Sequence, residues 1–492
     1  CSVGVIAADR GGLTKALQRA RYYRDKCSKV AVLLASGRTA QAIEGIPVHC
    51  LEKLPIPAEF REVHVHGDGP CEISDRVRLA LEKIQWDIVE FPSRGGLGYR
   101  AIQAKRMGTG FPNTKFQILV DGISELDRVL KPRWIRNLEE MEECYAEKYA
   151  VENACCCIAD ALELVEFARN RGWRMPGITS PPNFHPGKGN ELPKSDPLVT
   201  ICVPHYNHAD YLPAALESLK KQDYPNLEVL VIDDGSNDAK ALDVFSEMRD
   251  KYPEFRFLSQ ENAGIGATRN RALQEGRGEY YLPMDADNVA KENMVSRFVS
   301  ALSARPDLAG ISCYFLAFDT EDNLRKRRFL HAYRPTGGPD ILGCLRNVYG
   351  DATALYRRDA FLAVGGYETD RGSSFEDWEA FVKLRRNGYG LDVLPEHLFY
   401  YRLQPTGFSR TTSPMANHLR VLRQFHRHGA WTENEREELW NLLASTHFQM
   451  QEMQSRQRAW RYRMVDFLHN WIATVPGCRK TLEWVRSKAR MK

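Results

Sequence analysis

Between residues 1 and 180 short apolar runs alternate with stretches of helical period. VGVIAA gives way to TKALQRARYYRD and then KVAVLLAS, and later runs stand at REVHVHG, WDIVEF and KFQILVDG. Apolar runs of strand length separated by helical segments predict βαβ units and a parallel sheet. The rhythm breaks at SPPNFHPGKGNELPKSDP (180–197), where Pro, Gly, Asn and Ser leave almost nothing to bury, and this predicts a linker. A second alternation opens at LVTICVPHYN (198–207), with VTICVP, LEVLVID, RFLSQ and YYLPMD as strands and YLPAALESLKKQ and GATRNRALQEG as helices. From about 411 the period is helical to the end, with THFQMQEMQSRQRAWRYRMVDFLHNW as the longest piece. The pattern predicts an α/β domain at 1–185, a linker at 186–197, a second α/β domain at 198–410 and a helical region at 411–492.

Composition narrows the picture further. A chain of 492 residues exceeds one ordinary core, and its apolar and charged fractions of 43% and 27% are those of a globular protein. With 68 basic and 64 acidic residues the net charge is only +4, which argues against a dedicated nucleic-acid binder. The 12 cysteines form no CxxC pair, and three are adjacent (Cys155, Cys156, Cys157), so neither a zinc site nor a disulfide framework is indicated. Reduced thiols of this kind suit a cytoplasmic protein. No run of eighteen apolar residues is present to span a membrane. The chain opens on Cys1 without an initiator Met, as a processed chain or a piece of a longer one would.

The chemistry concentrates in the second block. In EYYLPMDADNV (279–289) an apolar strand ends in Asp285 and Asp287, whose side chains point the same way because successive strand residues alternate faces. Two further acidic groups accompany them: VLVIDDGSND, with Asp233 and Asp234, and SSFEDWEAFVKLRRNGY, with Glu376 and Asp377 at a helix start. Open α/β sheets bind ligands at the carboxyl ends of their strands. Paired carboxylates there suit a hard divalent cation that takes its remaining ligands from water and phosphate.

VPHYNHADYLPAALESLKKQDYPNLEVLVIDDGSND, ENAGIGATRNRAL, YYLPMDADN and FEDWEAFVKLRRNGY together resemble the family 2 inverting glycosyltransferases over about 198–405. The resemblance implies a GT-A fold, Rossmann-like and specific for a nucleotide-diphosphate sugar. It implies a base site at Tyr206 and Asp234 with Pro204 shaping the turn, and Asp285 and Asp287 on ribose, diphosphate and Mn2+ or Mg2+. It further implies Asp377 as general base, with Glu376 beside it binding the nucleotide sugar; Arg269 either reaches the diphosphate or lies as an exposed helix arginine. The implied acceptor is a hydroxyl of a glycan or a lipid-linked acceptor in cell-surface polysaccharide or glycoconjugate synthesis. Many relatives carry a His after the last strand; here Gln404 stands in that context, and the nearest His, His397, reads as a loop residue.

The first block resembles, over about 1–185, the N-terminal half of family 4 glycosyltransferases of GT-B fold, through VEFPSRGGLGYRAIQAKRMGTGF and FQILVDGISEL. Relatives carry His-Gly where this chain has Asp121-Gly122, and the second, nucleotide-binding half is missing. This implies a second Rossmann-like domain that is a non-catalytic relic, binding glycan or packing on its neighbour; the alternative is a second transferase centre. Gly11-Gly12 suits a phosphate- or sugar-binding turn, or simply a tight strand–helix turn. From Ser455 onward ten Lys or Arg stand against two acids, with Trp460, Trp471 and Trp484 interleaved. That pattern suits either an anionic membrane surface at the inner face or a packed helix with solvated charges. Two rival classes remain: an inactive glycosyltransferase-like scaffold, opposed by the intact Asp285, Asp287 and Asp377, and a sugar nucleotidyltransferase, opposed by the absence of glycine from VPHYNHADY.

Overall fold

A computed structural model describes residues 2–7, 10–24, 26–35, 42–43, 46–50, 64–66, 70–131, 133, 135, 137–159, 161–177, 196–404, 407, 411–428 and 431–474. The linker expected at 186–197 lies outside the described residues except for its last two, as does the end of the basic tail. The chain divides into two compact units. One comprises Cys1–Lys131 with Asn137–Trp431, the other Pro132–Arg136 with Thr432–Lys492.

The first unit carries two sheets. In the first, β1 (Ser2–Ala7), β2 (Lys29–Leu34), β3 (Val48–Cys50), β5 (Ile88–Pro92), β6 (Lys115–Val120) and β7 (Cys156–Ala159) lie in the order β3-β2-β1-β5-β6-β7, all parallel. These strands read as continuous apolar runs because a parallel sheet is covered on both faces. Val3, Val32, Phe91 and Ile118 are wholly or almost wholly buried. The run at REVHVHG behaves differently. Its strand β4 (His64–His66) pairs in parallel with β14 (His331–Tyr333) of the second sheet rather than extending the first. Gly11 and Gly12 fall inside the first turns of the helix Arg10–Arg24, not in a loop before it.

The second sheet begins with the parallel strands β8 (Val199–His205), β9 (Leu227–Asp233), β10 (Arg256–Ser259) and β11 (Tyr280–Pro283), in the order β10-β9-β8-β11. Here β15 (Leu355–Arg357) joins β11 antiparallel and is followed across the sheet by β13 (Leu308–Phe318), β14 and β4. Two more strands complete it: β16 (Gly390–Arg402), parallel to β13, and the short β12 (Val289–Ala290), antiparallel to β16. This mixed α/β architecture is the one expected over 198–410. In the other unit the helix Glu433–Thr474 supplies the helical C-terminal region.

The two sheets share one unit because their facing helices and strands are joined by buried polar bonds. Gln103 donates to the Asp392 carboxylate at 2.6 Å, Tyr149 donates to its other oxygen at 2.8 Å, and Arg78 donates to the Pro395 carbonyl at 3.1 Å.

Candidate functional site

In the strand order β9-β8-β11, β8 is central, so the turns after these three strands sit side by side at the carboxyl edge. Register fixes the alignment: His205 faces Asp233 and Pro204 faces Ile232 across β8 and β9. The two turns are stitched together. The His205 ring nitrogen Nδ1 lies 2.9 Å from Asp233 Oδ1, and the Ser236 hydroxyl donates to the same oxygen at 2.5 Å. Asn207, in the left-handed region with φ of 55°, accepts from the backbone N–H groups of Asn237 and Asp238. The short polar side chain of Asn tolerates that conformation. Pro204 is the last residue but one of β8, and Tyr206, just past the strand end, is 42% exposed, an open aromatic edge at the turn.

Asp234 is buried, and its carboxylate is already engaged. One oxygen accepts from the Gln260 amide at 2.7 Å and the Ala263 N–H at 2.8 Å; the other accepts from the Gly264 N–H at 2.9 Å. It thereby anchors the segment that starts the helix Ile265–Glu275, with Gly264 at φ 90° as the conformationally free residue before it.

From that helix comes Arg269. It is 1% exposed, not an exposed helix arginine, and its guanidinium bridges the acidic groups: it donates to Asp285 at 2.6 Å and to Glu376 at 2.7 Å. An arginine fork meets two carboxylates in fixed geometry, which a lysine cannot reproduce. Tyr281 donates to the Arg269 carbonyl at 2.8 Å and so ties β11 to the same helix. Glu376 and Asp377 open the helix Glu376–Arg386, preceded by Phe375 at φ 73°. A bulky residue held at positive φ is costly and is retained where the surroundings over-determine it.

Charge in this cluster is not balanced. Burial, followed by repulsion from Asp285, pushes Asp287 up to about 7; burial and the same neighbour push Asp351 to about 7. Asp377 is pushed up to about 8 by burial first, then by Glu376 and Asp351. The Tyr401 phenol is held well above its usual range by burial and then by the charges of Asp351, Asp285, Asp287 and Asp377. Asp287 accepts a bond from the Gln404 amide at 2.5 Å, which places Gln404 at the acidic pair as its sequence context implies. His397 is not a loop residue: it lies in β16, buried beside Arg334 and the Tyr314 ring.

Sequence reasoning missed Asp351, Tyr401 and His208. Asp351 follows Gly350 in a stretch with no neighbouring acid, and Tyr401 reads as one more strand aromatic. His208 lies two residues past Tyr206; burial lowers its pKa while Asp285 opposes the change, and its Nδ1 is buried without a hydrogen-bond partner. The doubled His of VPHYNHADY was the available signal.

Among the described residues no three His, Cys, Asp or Glu side chains form a ready-made metal cage. The donor set fits a hard cation nonetheless: Asp285 and Asp287 offer carboxylate oxygens, and Asp287 is raised first by burial and then by the charge of Asp285 beside it.

The sequence profile of glycosyl transferase family 2 matches residues 200–365. Chondroitin synthase of Escherichia coli is 35% identical over 134 residues, 27% of this chain and 19% of that protein. Glycosyltransferase GlyG of Streptococcus pneumoniae is 33% identical over 129 residues, 26% of this chain and 42% of that one. A longer match, 30% identical over 223 residues, covers 43% of this chain and 63% of the uncharacterized glycosyltransferase YibD of Escherichia coli. Among solved structures, the mannosyltransferase PcManGT from Pyrobaculum calidifontis, in complex with GDP-Man and Mn2+, gives a TM-score of 0.38 at 21% identity, covering 57% of this chain and 81% of that one. The chain thus spans between about a fifth and two-fifths of the length of the first two relatives named, and the family match is confined to residues 200–365.

Proposed function

We propose that residues 198–410 form a metal-dependent inverting glycosyltransferase that moves a sugar from a nucleotide-diphosphate sugar to a hydroxyl of a glycan or lipid-linked acceptor. The observation that carries this reading is the Arg269 bridge. One buried guanidinium joins the acidic pair after β11 to the acidic pair at the head of the helix Glu376–Arg386, so donor-side and acceptor-side carboxylates share one rigid support.

Tyr206 offers its exposed ring to the nucleotide base, with Pro204 setting the turn and Asp234 fixing the neighbouring 260–264 segment. Asp285 and Asp287 are the residues that would hold Mn2+ or Mg2+, which when bound neutralises charge developing on the leaving diphosphate. Arg269 keeps Asp285 oriented toward that role. Asp377 accepts the proton of the acceptor hydroxyl as it attacks, and a raised pKa makes it a stronger base than an ordinary carboxylate. A single base opposite the leaving group gives inversion at the anomeric carbon.

Polysaccharide or glycoconjugate synthesis is the setting this chemistry suits, and the relative named chondroitin synthase is in keeping with it. On the same reading the protein works in the cytoplasm, its basic tail against the inner face of a membrane. No described helix is long and apolar enough to cross a membrane.

The test is a panel of UDP- and GDP-sugars, assayed for hydrolysis and transfer with Mn2+, with Mg2+ and with chelator. Turnover of one donor that chelator abolishes is the expected result. Full turnover in chelator would remove the metal from the proposal, and no turnover of any donor would favour the inactive scaffold.

A further inference from the structure

The segment 334–350, between β14 and β15, is held from both sides. On one side stands the first block. The Arg100 guanidinium, fully buried, donates to the Pro335 carbonyl at 2.8 Å, and the Tyr99 hydroxyl donates to the Thr336 carbonyl. The Tyr145 ring lies so close on Gly338 that a Cβ there would meet it at 2.6 Å. Glu142, buried on the same helix as Tyr145, pairs with Arg346.

On the other side stands the helix that begins with Glu376 and Asp377. Its Trp378 indole donates to the Gly343 carbonyl at 2.9 Å, and Arg385 grips Asp340 with bonds of 2.8 and 2.9 Å. Phe381, on the same helical face, packs on the Tyr349 ring with centroids 6.0 Å apart. Residues 378, 381 and 385 fall at helical spacing along one stripe, and that stripe docks on 334–350. Asp351 follows directly at the end of the segment.

We propose that the first block positions the catalytic base. Through Tyr99, Arg100, Glu142 and Tyr145 it sets the 334–350 segment, which sets the helix carrying Asp377. These are positioning residues: none of them reaches the acidic cluster, and the first block takes part in the reaction without binding substrate. Buried polar bonds suit this task because each has one satisfied geometry and a high cost if broken. The inference rests on the transferase reading above.

The test uses the full chain with Glu142→Gln, Arg346→Glu and the exchanged pair Glu142→Arg with Arg346→Glu. Hydrolysis of UDP-glucose, UDP-N-acetylglucosamine and GDP-mannose with Mn2+ gives kcat and donor KM. Amide hydrogen exchange over 376–386 is read on the same samples. The proposal expects Glu142→Gln to remain folded, to lose about 10–100-fold in kcat with donor KM unchanged, and to exchange faster in 376–386. The exchanged pair should recover part of kcat. Wild-type kcat and wild-type exchange in a folded Glu142→Gln protein would overturn it, because the first block would then be only a packing neighbour. If the unaltered protein turned over no donor, the transferase reading would fail, and the exchange measurement would still decide the coupling.

Discussion

Both sheets end in loops that bear acids, serines and glycines, yet the two carboxyl edges differ in how their charge is settled. At the first edge the Glu147 carboxylate accepts from the Gly95 N–H at 2.7 Å, the Ser124 N–H at 2.9 Å and the Ser124 hydroxyl at 2.6 Å. Ser93 donates to the Gly122 carbonyl at 2.5 Å, and Asp121 lies 3.7 Å from the Lys15 ammonium. That edge meets its buried acid with hydrogen-bond donors, which oppose the burial that pushes the Glu147 carboxyl up to about 7. At the second edge Arg269 answers only two of five clustered carboxylates, and Asp287, Asp351 and Asp377 are left with raised pKa values. The second edge differs in gathering several acids that raise one another as well as being buried, the arrangement that marks a candidate site.

Five measurements break or sharpen this contrast. The largest effect is expected at the second edge from Asp377→Asn, which keeps shape and removes the base: transfer should fall roughly 10²–10⁴-fold while donor binding, measured calorimetrically, survives. Equal loss of donor binding would move Asp377 into the substrate shell. The pH dependence follows from the same group. Asp377 must be unprotonated to accept a proton, so with a pKa of about 8 the wild-type rate should climb as pH rises toward 8 and then level, a limb that Asp377→Asn lacks.

Next, Asp287→Ala should abolish most turnover without lowering Tm appreciably, since a side chain at a strand end adds little to the core; normal turnover in chelator would contradict it. Arg269→Met should act on stability as well as rate. Removing one partner of a buried pair costs about 3–5 kcal/mol, which a denaturation curve would show. The smallest effect belongs to the first edge: Glu147→Gln and Asp121→Asn should leave donor KM within about twofold of wild type. A larger shift there would mean that the first edge also binds the donor and that the contrast is false.

The parallel strands of both blocks were legible because apolar runs such as LEVLVID admit little else between helical segments. Asp285, Asp287 and Asp377 were legible because acids at a strand end or helix start are conspicuous. What the residues could not disclose depended on long-range pairing. Arg269 sits in an unremarkable helical stretch, and only the fold brings Asp285 and Glu376 to either side of it. The run LAGISCYFLAF, wholly buried as β13, reads equally as buried helix until its partners β15, β14 and β16 are known. Asp234 illustrates a subtler gap: the resemblance implies a base contact, whereas its oxygens visibly anchor the 260–264 segment.

The buried bonds between the two blocks also bear on how the chain is made. Arg100 meets Pro335, Gln103 meets Asp392 and Arg78 meets Pro395, across 235, 289 and 317 residues of chain. A ribosome adding 5–20 residues per second needs on the order of 15–60 s to cover such a distance. Through that interval the nascent first block carries two guanidinium groups, an amide and the phenols of Tyr99 and Tyr149 destined for burial, with their partners not yet synthesised. Its helices lack these partners until the 331–395 region emerges, and unpaired surface of this kind is what chaperones bind and proteases reach. Synthesis rate, and not stability alone, would then set the yield of this protein.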